Sequence, residues 1–180
     1  MLEILWPYLK YVFGFIGVVA VTEIFISARW WPVYFISGIP VYRHTLKVGA
    51  EAGRVPSAEQ IEAAIPDSGW GAPIHVRPIA ENRFAFRESM LHFNIGYTPV
   101  MHGSLRYDEQ AGEIVVRGYA NLSAALFAVF FVLAPLTLPL EAVDFVFPLF
   151  LVGVFLWIYW IQAKRFRQVG EAAQRMWSEG

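Results

Sequence analysis

Four histidines, His44, His75, His92 and His102, fall in one polar stretch of the chain, and imidazoles both ligate metals and transfer protons near neutral pH. Their spacings match no compact ligand pattern. His75 and His102 would share the polar face of a sheet if their strands were neighbours, with Glu88, Asp108 or Glu113 completing an acid–base site. Four histidines in a polar region of this size are ordinary, and no Ser-His-Asp order, phosphate loop or metal pair accompanies them. The chain has no cysteine, which removes thiol nucleophiles, disulfides and cysteine-bound metals. No catalytic residue, metal site or cofactor is assigned.

Charge offers two further candidates. Glu23 lies inside a long apolar run, where an ionised carboxylate is costly unless paired or wet, so it is a functional hypothesis by default. The plainer alternative is a position near enough to the interface to reach water or Arg29. Arg77, Arg83, Arg87, Arg106 and Arg117 fall on the polar parity of alternating segments, together with His75 and His102, and form a possible binding face for anionic headgroups or an acidic partner. The same polar stretch holds nine acidic residues from Glu51 to Glu113 against eight basic ones from Arg43 to Arg117, so an ordinary solvated face competes with that reading.

The elements that must position these residues are set by hydropathy. Of the 180 residues 57% are hydrophobic and only 16% charged, too apolar for an ordinary soluble domain of this length. The excess is concentrated in three runs, Ile4 to Ser27, Leu122 to Leu140 and Phe145 to Ile161, each close to the roughly 20 residues a helix needs to cross a bilayer. Continuous apolarity selects helices over a barrel. The first run has no basic start and no small-residue cleavage site, so it is expected to be a retained anchor. The expected fold is therefore an α-helical integral membrane protein with three transmembrane helices and a small α+β cytoplasmic domain. Its four parts are an anchor and interfacial segment (1–41), the α+β domain (42–119), a helical hairpin turning at Pro139 to Asp144 (120–163) and a C-terminal amphipathic helix (164–180).

Lys164, Arg165 and Arg167 follow the third run, whereas the link before it carries Glu141 and Asp144. The positive-inside bias then predicts a cytoplasmic C-terminus and an outside N-terminus, with Lys10 alone on the wrong side. Trp30, Trp31, Tyr34, Trp157 and Trp160 are expected as interfacial anchors. The stretch from Arg29 to Tyr42, broken by Pro32, Gly38 and Pro40, is expected to be interfacial or a kinked continuation of the first helix. Asn121 and Ser123 are expected to hydrogen-bond between helices.

Within the polar region, Ser57 with Gln60 predicts a capped helix from Ala58 to Ile65. Period-two alternation predicts about four antiparallel strands in two hairpins, Ile74 to Ile79 with Arg83 to Glu88, and Thr98 to Tyr107 with Glu113 to Tyr119. Parity places Ile74, Val76, Phe84, Phe86, Met101, Leu105, Tyr107, Ile114 and Val116 on one face. So thin a core needs a cover, and Phe166, Val169, Ala173, Met176 and Trp177 recur at helical spacing in the last segment. That segment would extend the third helix onto the sheet, lie on the membrane surface or bind a partner.

A net charge of −1 argues against nucleic acid. The leading expectation is a non-catalytic inner-membrane protein that touches membrane lipids and binds another protein through its cytoplasmic domain, as an accessory subunit or immunity-type factor. The alternatives are a homo-oligomeric channel or transport element and a membrane-embedded lipid-modifying enzyme using His75 and His102.

Overall fold

A computed structural model describes residues 2–48, 54–66, 72–89, 99–137 and 146–179. His92 and the expected turn at Pro139 to Asp144 lie outside them. Helix α1 (Leu2–Ala28) leads through a five-residue α2 (Pro32–Ile36) into strand β1 (Ile39–Lys47). Then come α3 (Ala58–Ala64), β2 (Ile74–Ala80), β3 (Arg83–Glu88), β4 (Met101–Asp108) and β5 (Glu113–Ala120), and finally α4 (Leu122–Thr137) and α5 (Val146–Glu179). Two helical stretches, Lys10–Ala28 and Val146–Ser178, are long and apolar enough to cross a membrane, and α4 adds the shorter apolar stretch Leu122–Leu133.

The strands form one antiparallel sheet in the order β1-β5-β4-β3-β2. Both expected hairpins are present, with Asn82 (φ 56°) and Gly112 (φ 61°) taking the left-handed conformation their turns require. The expectation of about four strands is corrected to five. The additional strand, β1, starts inside the stretch expected to be interfacial and pairs Leu46 with Ile114 and Arg43 with Arg117. Pro40 concealed it, but this proline sits at the start of an edge strand, next to a register shift, where a missing N–H breaks no essential ladder bond.

The apolar parity is buried as expected, with Phe86, Ile114 and Val116 fully enclosed and Met101 and Leu105 nearly so. Its cover is α5, a single helix of 34 residues, in which the third apolar run extends into the C-terminal amphipathic segment, one of the three placements expected for it. Phe166, Val169, Ala173 and Trp177 from its second half complete the core. Close approach is possible because Gly170 has no side chain: a Cβ there would meet Val116 Cγ2 at 2.8 Å and Leu46 Cδ1 at 2.9 Å. Gly103 plays the same part inside the sheet, where a Cβ would come within 2.2 Å of the Phe86 ring.

Buried polar contacts fix the helix against the strands. Gln162 Oε1 accepts from the N–H groups of Val100 (2.9 Å) and Met101 (3.0 Å), and its Nε2 donates to Glu88 Oε2. Arg165 Nη1 lies 2.8 Å from Glu88 Oε1, an ion pair almost wholly removed from solvent. The sheet edges are also occupied. Tyr159 and Gln174 of α5 donate to the β1 carbonyls of Val41 and Lys47, both at 2.7 Å. On the opposite edge, α3 carries the expected capping box between Ser57 and Gln60, and Glu62 Oε2 accepts from Val76 N at 2.8 Å. Edge strands treated this way are poor templates for a further strand.

Candidate functional site

Glu23, the carboxylate within the first apolar run, is 6% exposed and does not reach Arg29, whose guanidinium instead lies 4.2 Å from the Phe25 ring centroid. Its carboxylate meets the start of α4. Oε1 accepts from Leu122 N and from the Tyr34 hydroxyl, while Oε2 accepts from Ser123 N at 2.8 Å and from Ser123 Oγ. Helix N-termini leave their first N–H groups unpaired and carry a partial positive charge, so a carboxylate fits there on both counts. The expected interhelical role of Ser123 is met by this contact.

A second layer links that cap to the sheet. Asn121 Oδ1 accepts from Tyr34 Oη at 3.3 Å and faces His102 Nδ1 at 2.9 Å, while its Nδ2 donates to Pro99 O at 3.0 Å. His102 Nε2 lies 2.8 Å from the Tyr34 carbonyl, and the Tyr34 ring stacks on the imidazole with centroids 3.9 Å apart. Burial pushes the His102 pKa below the ordinary imidazole value, opposed by its hydrogen bonds to Asn121 and Tyr34. Burial and the neighbouring Glu23 push the Tyr34 hydroxyl upward, so it remains a neutral donor. A cleft of about 410 Å³ opens beside this network, walled by Val18, Val19, Ile26, Ile39 and Leu122. The Glu23 oxygens and both His102 nitrogens are already engaged by protein groups, so this assembly joins α1, α2, β4 and α4 rather than presenting an acid–base pair.

The expected histidine site is not assembled. β3 lies between the strands of His75 and His102. His75 Nδ1 instead contacts Glu62 Oε1 at 3.1 Å, and Glu88 is buried on the opposite face with Arg165. Asp108 and Glu113 pair with each other at the far end of β4 and β5. Among the described residues no group of three or more histidines and carboxylates is placed to hold a metal ion.

The five expected arginines do share one face, opposite the helical cover. Register places Arg83 directly across from Arg106, and Arg117 across from both Ser104 and Arg43. Two arginine pairs therefore stand directly opposed on neighbouring strands, an arrangement that costs stability through repulsion. Arg43, Arg77, Arg106 and Arg117 are exposed. Arg77 and Arg87 approach the Trp30 ring at 5.9 and 4.9 Å, within cation–π range, and burial pulls the Arg87 pKa down.

Among the expected anchors, Trp31, Trp157 and Trp160 are exposed, while Trp30 is folded back over the arginines and stacked on Phe35. Phe35 and Tyr34 of α2 pack on His102 at the end of this face nearest the apolar helices. Sequence reasoning missed Tyr34 as the bridge between Glu23 and Asn121. Its only signal was a phenol among apolar residues after a helix break. No protein-family model, no curated protein and no solved structure matches this chain.

Proposed function

We propose that the chain is a membrane-anchored, non-catalytic binding protein that receives an acidic surface of a second protein on its arginine-bearing sheet face. The observation that carries this reading is the asymmetry of the sheet. One face is sealed by α5 and both edges are occupied, whereas the other displays the directly opposed pairs Arg43 with Arg117 and Arg83 with Arg106. Maintained repulsion of this kind is relieved by an anionic partner. The end of α1, the start of α4 and Gln162 of α5 all meet the same end of the sheet, which supports three crossings with the domain on one side of the bilayer. In this reading the domain lies on the cytoplasmic side, which the positive-inside bias favours, and the compact topology favours a bacterial inner membrane.

The channel reading loses its motive because the Glu23 carboxylate is occupied by α4. The enzyme reading loses its paired histidines.

Purification from native membranes in mild detergent tests the proposal. A stoichiometric second protein is expected with the wild-type chain, released by salt and absent from the Arg43→Glu/Arg117→Glu variant. A symmetric assembly of this chain alone, unchanged by the charge reversal, would overturn it.

A further inference from the structure

We infer that the recess bounded by Arg83, Arg106 and Arg117 on the open sheet face is a binding site for a single phosphoryl group. This goes beyond the partner reading, since it requires the recess and not a second protein.

Size comes first. The recess has a volume of about 70 Å³ and is lined by Ile36, Arg83, Ser104, Arg106, Asp108, Val115, Arg117 and Tyr119. Pockets for drug-sized ligands run to about 300–1,000 Å³, so a recess of this size suits a compact group. Among its lining residues the apolar Val115 and the buried Tyr119 bring low-polarity surface, and the 6% exposed Ser104 brings a hydroxyl. Charge–dipole interactions gain strength where water is displaced by such surface.

Charge comes second. The lining holds three arginines and one carboxylate, Asp108, whose Oδ2 lies 3.7 Å from Arg106 Nη2, longer than a hydrogen bond. The lining therefore keeps an excess of two positive charges. A phosphate monoester carries about −1.5 to −2 charges near neutral pH, whereas a carboxylate carries one, so the phosphoryl group is the better match. Planar guanidinium forks also suit tetrahedral oxyanions, which accept several N–H bonds at once.

Placement comes third. Arg83 and Arg106 are directly opposed, and Arg117 lies across from Ser104, two positions from Arg106 along β4. Directly opposed residues in such a ladder hold their Cβ atoms about 5 Å apart, which keeps long side chains within reach of one small anion. The backbone hydrogen bonds of three adjacent strands hold these positions, so the ordering required when a ligand enters is confined to the arginine side chains.

The phosphoryl group comes either from a soluble phosphate or from a lipid headgroup at the membrane surface, and one experiment separates these sources. The full chain is purified in a neutral detergent and titrated calorimetrically with inorganic phosphate. Saturable one-site binding is expected, weakened roughly tenfold or more by Arg83→Gln and by Arg106→Gln. Arg106→Lys, which keeps the charge and removes the fork, is expected to lose part of the affinity, and Lys47→Gln on β1 none. The titration is repeated in nanodiscs of phosphatidylcholine with and without phosphatidic acid. Equal phosphate binding in both identifies a soluble source, and loss of binding only with phosphatidic acid identifies the headgroup. Absence of saturable binding in detergent, or an equal loss in Lys47→Gln, would overturn the inference.

Discussion

Glu23 Oε2 lies 2.8 Å from the backbone nitrogen of Ser123, so a carboxylate from the first helix serves as the N-terminal cap of the fourth. The two residues are a hundred positions apart, and the entire sheet is threaded between them. An acidic residue in an apolar run thereby acquires a structural account: it satisfies donors that an apolar side chain would leave unpaired.

Replacement of Glu23 by alanine is expected to destabilise the junction by roughly 2 kcal/mol or more, because several buried donors lose their acceptor together. Glu23→Gln keeps a carbonyl oxygen at the site and should lose less. Thermal unfolding in detergent gives the ranking, and ion flux through liposomes carrying Glu23→Gln should equal that of the wild type. Altered flux would restore a transport role for this carboxylate.

Protonation of His102 should weaken the fold. Burial lowers its pKa below 6.5, so the unfolded chain binds more protons than the folded one as pH falls through that value. The stability it contributes is therefore present above the unfolded pKa and is lost as pH falls through the lower folded value. Denaturation of wild type and His102→Gln between about pH 5 and about pH 8 isolates this contribution as their difference. Both ring nitrogens face oxygens, at 2.9 and 2.8 Å, an arrangement that only the doubly protonated ring satisfies at both ends. A difference that grows toward low pH in favour of the wild type would mean these oxygens outweigh burial.

Trp177 is 1% exposed and meets the Tyr107 ring edge-on with centroids 4.8 Å apart. Trp177→Ala is expected to cost about 3–5 kcal/mol, the usual range for a large aromatic removed from a core. Trp160 is 63% exposed on the apolar half of the same helix, and its alanine variant should change sheet stability by no more than about 0.5 kcal/mol. Hydrogen exchange of the strand amides distinguishes the two variants.

Sheet parity was legible because a period of two sorts every side chain to one of two faces, and Phe84, Phe86, Leu105, Ile114 and Val116 all obey it. The Ser57 and Gln60 cap was equally local. Strand β1 was hidden because an edge strand is half exposed and this one follows Gly38 and carries Pro40 as its second residue, both signals of a turn. The network joining Glu23, Tyr34, Asn121 and His102 depends on contacts between distant segments, and no spacing within one segment encodes it. The arginine face was visible from parity, whereas the opposition of Arg43 to Arg117 needed the missing strand.

All five strands precede α5 in the chain, yet Phe166, Val169, Ala173 and Trp177 of that helix close their core. During translation, the apolar side of the sheet must therefore wait without this part of its cover until two apolar helices have been made. A ribosome delivering α4 and the first half of α5 to the bilayer would bring the remaining half directly over the waiting strands. On the proposed topology, membrane insertion and completion of the polar domain become one event, with the continuous helix as the part that couples them.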